Sequence, residues 1–80
     1  MSGQRKKMND ISYVLGHNIR KNRISCHLTQ RDLAERLHVS PQAVSKWERG
    51  IALPDIDLII PLADIFSVTL DELFGRDGYV

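Results

Sequence analysis

The sequence is poor in the residues that build several kinds of protein. It has one cysteine, Cys26, among 80 residues. A single cysteine excludes an intrachain disulfide and any cysteine cluster for zinc. The histidines His17, His27 and His38 lack the HExxH spacing that puts two ligands on one helix face. No glycine-rich phosphate loop is present, and no Ser, His and acid set stands out. The longest apolar run, Leu58 to Ala63, is too short to span a bilayer and contains Pro61. Arg5, Lys6 and Lys7 resemble the start of a signal peptide, but no apolar stretch follows them. No run of residues alternates apolar and polar as a half-buried strand would. These absences point to a small, cytosolic, all-α protein without metal or cofactor, and not to an enzyme. A chain of this length builds one small core, with little room for a substrate pocket.

The net charge is only +1, yet it is unevenly spread. Residues 1–50 hold ten Lys and Arg against four Asp and Glu, a balance of +6. Residues 51–80 hold Arg76 against six acids, a balance of −5. The basic half is a candidate face for phosphates.

One helix-start signal is used three times. Leu28-Thr29, Val39-Ser40 and Val68-Thr69 each lead into an apolar residue, Leu33, Val44 and Leu73. The hydroxyl at the N-cap accepts a bond from an orphan N–H of the first turn. The apolar residue before it packs on the fourth helical residue as a staple. Thr69 with Glu72 completes a capping box, and Thr29 with Asp32 approximates one. Pro41 stands at a first helical position, where its missing N–H costs nothing. Gly50 and Gly75 stand where helices stop in the left-handed conformation.

These signals predict helices over about 10–26, 30–37, 41–49, within 56–66, and 70–75. Leu15, Ile19, Arg23 and Cys26 form the inner face of the first. Leu58, Ile59, Leu62, Ala63 and Phe66 form that of the fourth. Pro61 requires the fourth helix either to start late or to distort its first turn. Residues 1–9 read as a flexible basic arm, 10–75 as one domain, and 76–80 as a tail. Phe74, Tyr79 and Val80 are candidates for a dimer seam. Only His38 and Val39 separate the second helix from the cap of the third, the short link of a helix-turn-helix.

The third helix divides into two faces. With Val44 set inward, Trp47 and Glu48 fall within about 60° of it, while Gln42, Lys46 and Arg49 lie about 140–200° away. Ser45 and Ala43 flank that outer face. Gln can bond the adjacent donor and acceptor of adenine, and Lys can donate to guanine O6 and N7. Ala43 could touch a thymine methyl. Arg49 suits a phosphate. Glu48 on the inner side needs a partner, and Arg23 is the only basic residue facing it from the first helix, so the two are expected to pair.

Leu28-Thr29-Gln30, Leu33-Ala34, Val44-Ser45-Lys46-Trp47-Glu48-Arg49-Gly50, Pro54-Asp55, Leu62-Ala63 and Val68-Thr69-Leu70-Asp71-Glu72-Leu73 follow in order. Together they resemble the lambda-repressor-like helix-turn-helix family, also called the Cro/cI or XRE type. The resemblance runs from Leu15 to Gly75. It implies a compact five-helix bundle that binds a double-stranded DNA operator as a transcriptional regulator, most often a repressor. It also implies a homodimer. No membrane partner is expected from so short an apolar run, and no small-molecule effector is expected, since these 80 residues leave no room for a separate effector-sensing domain. By position it gives Gln30 a phosphate contact at the start of the second helix. Ser40, Gln42, Ala43, Ser45 and Lys46 match positions facing the groove, with Ser40 assigned to the DNA backbone, and Arg49 matches a backbone contact. Arg23 and Glu48 match a family ion pair. Pro41 departs from members with a polar base-reading residue there, so reading leans on Gln42 and Lys46. The alternative is a protein-interaction module on the same fold, such as an antitoxin-like or anti-regulator protein.

Overall fold

The computed structural model describes residues 11–76. The predicted arm at 1–9, the helix start at Asp10, and Tyr79 and Val80 in the tail lie outside the described residues. Five α-helices follow one another: α1 (Ile11–Ser25), α2 (Gln30–Leu37), α3 (Pro41–Glu48), α4 (Ile59–Phe66) and α5 (Leu70–Leu73). A single 3-10 turn, Ile56–Leu58, leads into α4. Among the described residues there is no strand, and no helix is long and apolar enough to cross a membrane.

The three caps act as expected. Thr29 and Asp32 form a full capping box, with both bonds at 2.9 Å. Thr69 and Glu72 form the second. Ser40 Oγ accepts the Ala43 N–H at 3.1 Å, and Pro41 occupies the first turn. Val39 and Val68 pack against the core.

The helix ends follow a rule that the sequence showed only in part. Each of the five is followed within two residues by one with positive φ: His27, His38, Gly50, Ser67 and Gly75. The next residue's N–H then returns to a carbonyl five positions back, as in Val39 to Ala34 at 3.0 Å and Val68 to Ala63 at 3.0 Å. This bond satisfies a carbonyl that the helix itself leaves open. Gly50 and Gly75 were expected in this role. His27, His38 and Ser67 were not, because a side chain at positive φ is disfavoured. All three precede an apolar residue and a Ser or Thr cap. One short unit therefore both stops a helix and starts the next.

Pro61 resolves by a late start. The α-helix begins at Ile59, so Pro61 lies in the first turn, where backbone donors have no partner within the helix. Leu62, Ala63 and Phe66 are buried, and Leu58 and Ile59 pack at the core's edge.

The expectation for Cys26 is overturned. It is exposed, not on an inner face. Helix α1 ends at Ser25 and the chain turns through the left-handed His27. The helix therefore stops one residue too early to carry Cys26 inward.

The core joins Leu15 and Ile19 of α1, Leu33, Ala34 and Leu37 of α2, Val44 and Trp47 of α3, Leu62, Ala63 and Phe66 of α4, and Leu73 of α5. Helix α1 touches α3, α4 and α5. Two details position it. Asn18 is buried and donates to the Leu73 carbonyl at 3.0 Å, which ties α1 to the end of α5. Gly16 lies against α3 so closely that a Cβ there would stand 2.0 Å from the Trp47 carbonyl oxygen.

Candidate nucleic-acid interface

The candidate interface is built on α2, the turn after it, and α3. Leu37 ends α2, His38 reverses the chain and Ser40 caps α3. That link leaves no slack, so α2 and α3 pack directly on each other. Ser40 keeps its own O–H as a donor, since its bond to Ala43 uses only a lone pair.

The two faces of α3 separate as the helical projection requires. Val44 and Trp47 are buried, whereas Gln42, Lys46 and Arg49 are exposed. Ser45 and Ala43 are half-buried, and the Ala43 methyl packs against the core. Of the four residues expected to face bases, Gln42 and Lys46 thus present the most accessible side chains. The Arg49 Nε folds back to the Ser45 carbonyl at 3.3 Å, which holds its guanidinium beside the end of α3.

Glu48 meets Arg23 as the facing argument required. Arg23 Nε donates to Glu48 Oε2 at 2.6 Å and Nη2 donates to Oε1 at 3.0 Å, a bidentate pair. The side chains are 12% and 4% exposed, so the charges are largely removed from water. A third partner was missed from sequence. Gln30 Nε2 donates to the same Glu48 Oε1 at 3.0 Å. Arg23 Nη1 also donates to the Leu28 carbonyl at 2.8 Å. Gln30, expected to face a phosphate, is therefore also part of a network joining α1, α2 and α3. The only signal for this was Glu48 itself, an inward carboxylate with more acceptor capacity than one arginine fills.

Apolar residues gather elsewhere. Ile11, Leu53 and Ile56 are exposed and share a groove with Leu15, Pro54, Ile59 and Phe74. Of the proposed dimer-seam residues, Phe74 lies in this groove, half-buried. Among the described residues, no group of three His, Cys, Asp or Glu could hold a metal ion.

The profile of the helix-turn-helix family matches residues 19–73. The chain is similar to the HTH-type transcriptional activator BcrR of Enterococcus faecalis, with 44% identity over 54 residues, 68% of this chain and 26% of that protein. It is similar to the HTH-type transcriptional regulator ImmR of Bacillus subtilis, with 32% identity over 63 residues, 79% of this chain and 50% of that protein. It is also similar to the 26 kDa repressor protein of Escherichia phage HK022, with 36% identity over 72 residues, 90% of this chain and 31% of that protein. The matched stretch is thus between a quarter and a half of these relatives' own lengths.

Proposed function

Because the chain belongs to the helix-turn-helix family, we propose that it binds double-stranded DNA sequence-specifically, with α3 in the major groove, and regulates transcription as a repressor. Membership of this family supports reading it as a DNA-binding regulator rather than an enzyme. The observation that carries the finer reading is the division of α3. Its exposed Gln42 and Lys46 can both bond base edges, while Val44 and Trp47 anchor the same helix in the core. Ser45 and Ala43 flank the reading residues. Gln30, Ser40 and Arg49 bond the DNA backbone and fix the register, which positions α3 without itself specifying sequence. Repression requires only that bound protein occlude a promoter. The same kind of domain occurs in relatives named as an activator and as a repressor.

Two copies on a palindrome fit the size of α3. An eight-residue helix is about 12 Å long, and base pairs rise about 3.4 Å each, so α3 reads roughly four of them. A two-fold dimer doubles that site.

The test is selection of bound duplexes from a random-sequence pool, followed by titration of the winner over a range of salt. A recovered palindrome whose binding weakens steeply with salt is the expected result. A second reading, a module for a protein partner, is favoured by the exposed apolar groove of Ile11, Leu53 and Ile56. That reading takes over if no salt-sensitive binding to any duplex is found.

A further inference from the structure

We infer that Glu48 is a positioning residue for DNA binding, acting through Gln30, whose side-chain amide it holds in one orientation before any DNA arrives. This rests on the reading of Gln30 as a phosphate contact. An ionised carboxylate only accepts hydrogen bonds, so only the NH2 end of the Gln30 amide can face it. The contact of 3.0 Å from Gln30 Nε2 to Glu48 Oε1 therefore fixes which way the amide is turned. The second N–H is left to donate elsewhere. A phosphate oxygen is also an acceptor only, so that N–H is the group it can use, whereas a flipped amide would offer it a carbonyl oxygen.

Glu48 can hold Gln30 because it is itself immobile. Arg23 grips both its oxygens, and the side chain is 4% exposed. Arg23 also binds the carbonyl of Leu28, two residues before Gln30. The network thus fixes the backbone leading into α2 as well as the amide at its first residue. Arg23 neutralises Glu48, which would otherwise repel a phosphate brought near Gln30. A buried ion pair of this kind is weak evidence for stability alone, because desolvation offsets much of the attraction. Its placement, with one carboxylate oxygen shared between Arg23 and Gln30, gives it a different consequence. A freely rotating amide must be ordered when it meets a phosphate, and here that ordering is already done.

The test uses the full chain and a mixed-sequence DNA duplex at low salt. Truncating Glu48 alone strands Arg23 and risks unfolding, so the informative variant replaces the pair, Arg23→Leu with Glu48→Leu, which keeps the seam filled. Nitrogen relaxation of the Gln30 side chain in the free protein is read first. It is expected to be ordered in the wild type and mobile in the paired variant. Gln30→Ala is then made in both backgrounds. In the wild type it should weaken duplex binding about fivefold, the effect of one net hydrogen bond, and in the paired variant less than half as much. Equal losses in the two backgrounds, or a mobile Gln30 amide in the wild type, overturn the assignment. So does a Gln30→Ala protein that melts earlier yet binds duplex as the wild type does, since Gln30 is then only a brace. A wild type that binds no duplex sinks the phosphate reading itself. The relaxation measurement then still reports whether Glu48 orders the amide.

Discussion

Two regions of the molecule meet in helix α3: the seam it forms with α1, and the face it turns outward. The seam is close-packed and shared. Gly16 touches the Trp47 carbonyl, and Arg23 grips Glu48. The outer face, with Gln42, Lys46 and Arg49, is exposed. Within one helical turn the same element thus holds residues fixed by packing and residues left for a partner. A change in the seam moves α3 bodily and affects folding and binding together. On the proposed reading, a change on the outer face removes a DNA contact and leaves the fold alone.

The largest expected effect breaks the seam. In Gly16→Ala, the new methyl would stand 2.0 Å from a backbone oxygen that no rotamer change can move. The helices must separate, at a cost of about 3 kcal/mol, the upper end for overpacking. Thermal melting measures this. A variant melting within a few degrees of the wild type would show the seam to be compliant. Next comes Lys46→Ala on the outer face. It should cost about 1–3 kcal/mol of binding to the selected operator and relax preference at one base pair, with unchanged melting. Loss of binding together with stability would erase the distinction between the two regions.

The junctions sharpen the comparison, because they lie in neither region. Ser67 has a φ of 58° at the end of α4. Ser67→Gly removes the strain of a side chain there and should raise stability by about 1 kcal/mol, read from denaturant unfolding, without altering operator preference. The smallest effect belongs to Asp32. Its carboxylate accepts the Thr29 backbone N–H and then the Thr29 hydroxyl, and Arg36 and Arg31 lie nearby. All of these hold its pKa below the ordinary 3.8. Its stabilisation is therefore complete above that value and is lost as pH falls through the lowered one. Asp32→Asn should be slightly less stable than the wild type at neutral pH and equal to it in strong acid. A gap that stays constant with pH would show that charge at this cap is irrelevant.

The features legible from sequence were local. Caps at Thr29, Ser40 and Thr69 bond N–H groups three residues on, so their spacing is printed in the chain. The turn of α3 about its axis separates Lys46 from Trp47 within neighbouring positions. The pairing of Arg23 with Glu48 was also within reach, because an inward carboxylate demands a cation and one candidate faced it. The error at Cys26 came from extending a helical projection past a turn. His27, His38 and Ser67 were hidden because glycine is the usual mark of a left-handed end, and these residues are not glycine.

The sequence by itself determined where α2, α3 and α5 start and which side of α3 faces inward, since both depend on residues within a turn or two of each other. Tertiary structure decided what each inward residue meets. Asn18 reaches the Leu73 carbonyl across 55 positions, Gln30 reaches Glu48 across 18, and Gly16 admits the backbone of Trp47. No spacing encodes these contacts. They exist because helices packed around a shared core bring distant side chains within bonding range, and only that packing turns Gln30 toward Glu48.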